Sequence, residues 1–155
     1  MGSGLLILNG PNLNMLGRRQ PEIYGRETLS DIESACKLHG AELGLSVDFR
    51  QTNSEGELVG WIQEAAGVAD AVIINAGAYT HTSVALFDAL LLLDMPIIEV
   101  HLSNIYRRES FRHRSYVSGA ATGVICGLGS RGYLLAMDAV AAMLAEDRQR
   151  PEDRQ

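Results

Sequence analysis

The sequence predicts a single α/β domain in which a five-stranded parallel sheet lies between two layers of helices. Three observations predict this fold. Short apolar or β-branched segments alternate with helical stretches along most of the 155 residues. Residues 71–74 form an unbroken apolar run, which needs cover on both faces of a sheet and is typical of parallel strands. The composition, with 46% hydrophobic and 21% charged residues, is that of an ordinary folded domain.

The predicted elements follow in order along the chain. Strands are expected at residues 5–9, 46–51, 71–75, 97–101 and 123–127. Helices are expected at residues 28–43, 54–66, 82–93 and 130–146. Because crossovers between parallel strands are right-handed and the chain is short, the flavodoxin-like strand order 2-1-3-4-5 is favoured. A single domain is expected to cover residues 1–146, with a polar C-terminal tail at 147–155.

Helix boundaries are predicted from capping signals. Ser54 with Glu57 predicts a capping box at the start of the second helix, and Thr28 with Asp31 is a weaker signal of the same kind. Gly44 follows the first helix, where a left-handed residue is wanted. One connection stands apart, because residues 103–122 show little helical periodicity and much arginine. A long irregular connection in a compact domain is often functional.

Charge and cysteine content exclude several classes of protein. The net charge of −6 argues against a general nucleic-acid binder. Cys36 and Cys126 lie far apart with no CxxC partner, so neither a disulfide framework nor a zinc site is indicated, and a cytoplasmic home is expected. The most apolar stretch, 83–100, is interrupted by two aspartates and a proline, so no membrane association is expected.

Polar side chains follow three strands that are adjacent in the predicted order. The first strand ends at 9–14, the third at 75–81 and the fourth at 99–104, and these segments carry amides, hydroxyls and imidazoles. Ligands of such sheets bind beyond the carboxyl ends of the strands, so these groups predict a site for a polyol or hydroxy acid. They do not suit a metal, since hard cations prefer clustered carboxylates and no HxH or HxxxH pair occurs.

Two side chains are candidates for acid and base chemistry. Glu99 and His101 lie two apart on a strand and share a face, so the carboxylate can fix the tautomer of the imidazole and favour its protonated form. Such a histidine can protonate a leaving hydroxyl, although a strand-end histidine can also be purely structural. Tyr24 follows several arginines in a loop. Its use as a base asks for a pKa about 3 units below normal, roughly 4 kcal/mol, although a loop tyrosine can equally serve packing.

Other classes of function remain open on these residues alone. A nucleotide-binding protein would need GxGxxG or GxxxxGK[ST], and neither is present. A flavin carrier or a phosphoacceptor receiver would share the fold, but a receiver needs clustered acids at its strand ends. The ends here carry instead Asn9, Gln51, Asn75 and His101. A flavin carrier would be yellow, so an ordinary ultraviolet spectrum would exclude it. Another lyase acting on a related cyclic hydroxy acid is a further alternative.

Several spaced motifs together resemble one known family. The segments NGPNLNMLGRRQPEIYG at 9–25, NAGAYTHTS at 75–83, EVHLSN at 99–104, RESFR at 108–112 and GLG at 127–129 occur in the order found in the type II 3-dehydroquinate dehydratases. The likeness extends over roughly residues 5–145. It implies reversible dehydration of 3-dehydroquinate to 3-dehydroshikimate through an enolate, without metal or cofactor, in the shikimate pathway or in quinate breakdown.

The resemblance also implies roles for individual residues. Tyr24 would remove a C2 proton with its pKa lowered by Arg19, and His101 would protonate the departing C1 hydroxyl with Glu99 orienting it. Asn12 would place a water near the enolate oxygen. The residues implied to hold the substrate are Asn75, His81, Leu102, Ser103 and Arg112.

An oligomer is implied as well. In the family, an aspartate at the position of Asp88 reaches the site of a neighbouring subunit, and trimers gather into a dodecamer. The related type I enzymes form a Schiff base through a buried lysine. The single lysine here, Lys37, falls on the solvated face of a predicted helix, so that route is not expected.

Overall fold

The computed structural model describes residues 2–18, 22 and 25–150 and contains the predicted five-stranded sheet. All strands are parallel, in the order β2-β1-β3-β4-β5. The strands are β1 Ser3–Asn9, β2 Leu45–Gln51, β3 Ala71–Asn75, β4 Ile97–His101 and β5 Gly123–Cys126. The fold class and strand order predicted from the sequence are therefore confirmed.

In the part of the chain that the structure describes, four helices cover the two faces of the sheet. They are α1 Leu29–Leu43, α2 Glu55–Ala65, α3 Val84–Leu90 and α4 Arg131–Gln149. Helices α1 and α4 pack on one face, and α2 and α3 pack on the other. Short 3₁₀ turns occur at Leu13–Met15, Gly77–His81, Ile105–Arg107, Ser110–Arg112 and Val117–Gly119. Within the described ranges, no helix combines the length and the apolar character needed to cross a bilayer.

Two apolar cores result from the alternation of side chains along the strands. Leu5 and Ile7 face α1 and α4, whereas Leu6 and Leu8 face α2 and α3. The strand β3 is buried along its whole length. Because both faces of the central strands are covered, their sequences read as continuous apolar runs, as the sequence pattern indicated.

Strand β1 begins at Ser3, two residues before its predicted start, and three helix boundaries differ from the predictions by two or three residues. Helix α3 is shorter than 82–93: it begins after Ser83, whose Oγ accepts from the amide of Leu86 at 2.9 Å. Its last turn tightens as the amides of Leu92 and Leu93 donate to carbonyls three residues back. Helix α4 runs to Gln149, so residues 147–149 of the predicted tail are helical. The break at Arg150 is expected, since a residue before proline disfavours helical geometry.

The capping signal that the sequence indicated as the weaker one forms the complete capping box. The complete capping box is at Thr28 and Asp31, where each side chain accepts from the other residue's amide at 3.2 and 2.9 Å. Ser54 caps α2 through one bond only, from the amide of Glu57 at 3.2 Å. Gly44 has the expected left-handed conformation, with φ 72°.

Candidate active site

The carboxyl ends of β1 and β3 are held together by backbone contacts. Asn9 and Asn75 are register partners, and the amide of Gly10 donates to the carbonyl of Asn75 at 2.8 Å. A Cβ on Gly10 would lie 2.3 Å from the carbonyl oxygen of Ala76, so only glycine permits this approach. The loops after the two strands therefore form one continuous wall beside β4.

Glu99 is the most deeply buried charged residue of the site. Its side chain is fully inaccessible to solvent, and that of His101 is 6% exposed. Nε2 of His101 donates to Oε2 of Glu99, which also accepts from the hydroxyls of Thr80 at 3.0 Å and Ser115 at 2.7 Å. Oε1 accepts from the hydroxyl of Ser118. The carboxylate is thus surrounded by four donors of the protein.

These donors decide the ionisation of Glu99. Burial by itself would raise the pKa of this carboxyl group, but the hydrogen bonds from His101, Ser118 and Ser115 outweigh it and hold the pKa below its ordinary value of 4.5. A buried carboxylate that stays ionised orients the imidazole of His101 through Nε2. Nδ1 is then the ring nitrogen left to face a ligand.

His81 stands beside this pair. Its ring stacks on that of His101, with centroids 6.4 Å apart and planes inclined by 18°. Nδ1 of His81 donates to the carbonyl of Arg114 at 2.8 Å, which fixes the ring on the connection between β4 and β5. Burial lowers the pKa of His81, and the charges of His101 and Arg112 lower it further. His81 is therefore suited to bind substrate as a neutral hydrogen-bonding group.

A buried tyrosine fixes the amide of Asn75. The hydroxyl of Tyr133, on α4, donates to Oδ1 of Asn9 at 2.6 Å and accepts from Nδ2 of Asn75 at 2.9 Å. Oδ1 of Asn75 accepts from the amide of Gly77 at 3.2 Å. The asparagine predicted to hold substrate is thus 2% exposed and already has partners for both ends of its amide.

Asn12 lies where the chain leaves β1. It has a left-handed backbone with φ 69°, and its amide donates to Oδ1 of Asn53 at 3.0 Å. This conformation, which asparagine tolerates better than most residues, leaves its side chain exposed at the rim.

Leu102 and Ser103 follow β4 directly. Among the residues that the structure describes, their amides donate to no protein acceptor, although the carbonyl of Leu102 accepts from the amide of Gly129 at 3.0 Å. Two adjacent free N–H groups beside His101 suit a carboxylate.

The remaining predicted residues divide into three groups. Arg112 lies close enough to His81 to lower its pKa, while its Nε donates to Glu109 at 2.8 Å. Asp88 is exposed on α3 and, within the described part of the chain, forms no ion pair. Arg19 and Tyr24 lie outside the described residues.

Four residues that matter to this geometry were missed by the sequence analysis. They are Thr80, Ser115, Ser118 and Tyr133. A signal for the three hydroxyls existed, since a carboxylate inside an apolar strand such as IIEVH requires donors. Two of these residues, Ser115 and Ser118, lie in the connection 103–122, where arginine dominates the sequence pattern.

Metal binding has no candidate centre in the described ranges, where no three histidine, cysteine, aspartate or glutamate side chains lie close enough to hold an ion. The chemistry that the geometry offers is proton transfer. Its components are an imidazole backed by a buried carboxylate and free N–H groups beside it.

Comparisons with known proteins point to one family. The sequence model described as dehydroquinase class II matches residues 3–141. The chain is 55% identical over 145 residues to a protein of Rhizobium johnstonii named 3-dehydroquinate dehydratase, covering 94% of this chain and 100% of the relative. It is 56% identical over 142 residues to a Pseudomonas putida protein named 3-dehydroquinate dehydratase 2, covering 92% and 95%.

Solved structures give the same result. The type II dehydroquinase of Propionibacterium acnes superposes with a TM-score of 0.88 at 50% identity, over 92% of this chain and 98% of that one. The type II dehydroquinase of Butyrivibrio crossotus superposes with a TM-score of 0.87 at 40% identity, over 90% and 97%. The likeness therefore extends to the whole fold and is not limited to the motifs.

Proposed function

The chain belongs to the class II dehydroquinase family and dehydrates 3-dehydroquinate to 3-dehydroshikimate, and we propose that it does so at the carboxyl edge of the sheet with His101 as the acid. One observation carries the assignment: His101 is nearly buried and is paired through Nε2 with the ionised Glu99. Because the chain belongs to this family, it is not a flavin carrier, a receiver or a different lyase.

The acid half of the reaction follows from this pair. Loss of the C1 hydroxyl needs a proton, because hydroxide is a poor leaving group. With Nε2 held by Glu99, the imidazolium presents Nδ1–H to the leaving oxygen. After the transfer, the neutral ring keeps its Nε2–H bond to the carboxylate, so its orientation is unchanged.

We assign the base half to Tyr24 and Arg19 on the strength of their place in the opening motif of the family. Removal of a C2 proton gives an enolate, and a phenolate near neutral pH requires a nearby positive charge that lowers the pKa of the phenol. Asn12 is assigned to the water beside the enolate oxygen. Its exposed side chain at the rim of the β1 loop supports that role.

Substrate binding is assigned to groups around His101. The free amides of Leu102 and Ser103, with the Ser103 hydroxyl, would take the carboxylate. Arg112 adds positive charge on the same side as His81. His81 would hydrogen-bond a ring hydroxyl, and Asn75 would do so with the lone pairs and protons that Tyr133 and Gly77 leave free.

We propose that the reaction needs no cofactor and takes place in the cytoplasm. Dehydration transfers no electrons to an external carrier, and the side chains above supply both an acid and a base. Cys36 and Cys126 are free thiols, as suits a reducing compartment.

An oligomer is proposed from the outer surface of α3. Val84 and Leu91 are 51% and 56% exposed, and with Asp88 they form one stripe at helical spacing. An apolar stripe with a single carboxylate suits contact with a second copy, in which Asp88 would approach the neighbouring site. We expect a dodecamer of four trimers, with a mass of roughly 200 kDa by light scattering, against 16.8 kDa for one chain. A monomer with full activity would contradict this assignment.

The function is tested by mixing the protein with 3-dehydroquinate and following the absorbance of the conjugated enone. Tyr24→Phe and His101→Ala are each expected to lose most of kcat while still binding substrate, because each acts on the barrier. Arg19→Lys should also lose activity, since an ammonium does not reproduce a planar guanidinium. Inactivation by borohydride in the presence of substrate would instead indicate a Schiff base. Near-normal turnover in any variant would remove that residue from its role.

A further inference from the structure

The carboxylate of Glu99 accepts three hydroxyl hydrogen bonds in addition to that from His101. Two come from the connection between β4 and β5, through Ser115 and Ser118, and one comes from Thr80 after β3. We propose that Ser115 and Ser118 are positioning residues for the dehydration, which hold the negative charge on Glu99 and so keep the shared proton on His101. The inference rests on the function proposed above, because it concerns the acid of that reaction.

The hydrogen bonds around Ser115 indicate its direction of donation. Its Oγ accepts from the amide of Ser118 at 3.1 Å and lies 2.9 Å from the Thr80 hydroxyl. Its shortest contact, 2.7 Å, is to Oε2 of Glu99, which can only accept when ionised. A hydroxyl that accepts from an N–H group donates more strongly through its own proton.

A proton between Glu99 and His101 can reside on either residue. If it moves to Glu99, the carboxyl group becomes neutral, and the hydroxyls of Ser115 and Ser118 lose a charged acceptor in a site closed to water. Each hydroxyl therefore favours the state in which Glu99 is negative and His101 is an imidazolium. No other protein group could perform this task for Oε1, since Ser118 is its sole donor among the described residues.

The location of the proton bears on the chemical step. As the C1–O bond breaks, the leaving oxygen takes the Nδ1 proton and departs as water, and the enolate electron pair forms the C1–C2 double bond while the C3 carbonyl is restored. An imidazolium is a far stronger acid than neutral imidazole. Loss of a hydroxyl should therefore slow this step more than it weakens substrate binding.

The segment that contains the two serines is hydrogen-bonded to the loop that follows β3. The amide of Tyr116 donates to the carbonyl of Thr80 at 2.8 Å, and the carbonyl of Arg114 accepts from His81 at 2.8 Å. Val117, between the serines, is fully buried in the core shared with α2 and α3. The long connection is thus anchored on both sides of Glu99.

The test combines kinetics with a spectroscopic measurement of the ring. Ser118→Ala is expected to lower kcat about tenfold and to change KM by less than about twofold. The double variant with Ser115→Ala should lower kcat about 100-fold, because each hydrogen bond to a charged group contributes about a factor of ten. In substrate-free protein labelled with ¹⁵N-histidine, the Nε2 signal of His101 should move toward the unprotonated position. His101→Gln identifies that signal by its absence.

Controls separate this role from a general effect on folding. Ser110→Ala alters an exposed serine of the same connection that makes no side-chain hydrogen bond within the described residues, and should change neither measurement. Ser118→Thr keeps a hydroxyl and should restore kcat. Thermal unfolding of each variant checks that it is folded. If Ser118→Ala does not fold, Ser115→Ala alone tests the inference, with the same expected loss of kcat.

The outcomes are distinct. Unchanged kcat and ring signals in the serine variants would overturn the inference, as would reduced kcat with unchanged ring signals, since the hydroxyls would then support structure only. Failure of the wild-type protein to convert 3-dehydroquinate would overturn the proposed function, while the ¹⁵N measurement without substrate would still report on the serines.

Discussion

The two halves of the central strands differ in what they bury. Toward the amino end, β1, β3 and β4 bury only apolar side chains, such as Leu6, Val72 and Ile98. Every buried polar side chain in the described part of the chain lies near or beyond a carboxyl end of one of the first four strands. These residues are Asn9, Thr52, Asn75, Thr80, Ser83, Glu99 and His101.

With the reaction at the carboxyl edge as proposed, one sheet serves stability and chemistry in separate places. A buried polar group is unfavourable unless it is hydrogen-bonded. In the described residues no fully buried side-chain nitrogen or oxygen lacks a partner, so hydrogen bonds offset the cost of burying these polar side chains. We therefore expect substitutions in the polar half to affect mainly turnover, and those in the apolar half to affect mainly unfolding.

Glu99→Gln is the substitution expected to have the largest effect. It keeps the size of the side chain and removes the negative charge that accepts from Nε2 of His101, the acid of the proposed reaction. The value of kcat should fall by roughly 100- to 10,000-fold, about 3–5 kcal/mol in the barrier. Steady-state kinetics with 3-dehydroquinate measure this, and circular dichroism confirms the fold. A loss below about fivefold would show that His101 does not depend on the carboxylate.

Ile98→Ala tests the apolar half on the same strand. Ile98 is 3% exposed and packs in the core formed with α1 and α4. Its truncation should lower the free energy of unfolding by about 2–5 kcal/mol through lost burial and a residual cavity. Urea denaturation measures this value. The kcat of the folded variant should remain near that of the wild type, and a loss comparable to that of Glu99→Gln would abolish the distinction between the halves.

The apolar half was the part that sequence alone predicted well. Continuous apolar runs such as residues 71–74 indicate strands covered on both faces, so the strand positions followed from local pattern. Their order followed from the handedness of crossovers and the length of the chain. The errors lay at helix ends. Helix α3 begins after Ser83 because the hydroxyl of Ser83 accepts from the amide of Leu86 and so caps the helix. The hydrophobic pattern does not show whether such a residue caps a helix or continues it.

In the polar half, the sequence identified Glu99 and His101 but not the residues that support them. Ser115 and Ser118 meet Glu99 across 16 and 19 positions of chain, and Tyr133 meets Asn9 across 124. No local signal encodes such distances. The motifs supplied the candidate side chains for the reaction, and the tertiary structure shows which hydroxyls form hydrogen bonds to Glu99.

Tyr133→Phe probes that hidden support. The substitution keeps the ring but removes the hydroxyl that joins Asn9 to Asn75. Unfolding should become easier by about 1–3 kcal/mol, because a buried acceptor and a buried donor lose their partners. KM should rise, since the amide of Asn75 is no longer held. Burial raises the pKa of Tyr133, so the hydroxyl stays protonated and the stability difference should not vary with pH between about 5 and 9. A stability equal to that of the wild type would mean that water replaces the hydroxyl.

The smallest effect is expected in the pH dependence of stability, where two histidines can be compared, one inside and one outside the polar half. On the helical face, Nε2 of His39 contacts Oδ1 of Asp138 at 2.6 Å and joins α1 to α4. Its hydrogen bond to Asp138 raises its pKa above the ordinary 6.5, whereas burial lowers the pKa of His81 below the same value.

The two histidines should therefore give opposite dependences of stability on pH. Protonated His39 contributes stability that is fully present below about pH 6.5 and is lost as pH rises through its higher folded pKa. For His81 the folded state binds fewer protons, so its contribution falls as pH drops below about 6.5. Each effect should be under about 1 kcal/mol. In urea titrations between about pH 5 and 8, His39→Gln should make stability rise more steeply with pH, and His81→Gln should make it rise less. If both substitutions changed the slope of stability against pH in the same direction, the pKa values of His39 and the half-buried His81 would not be shifted in opposite directions.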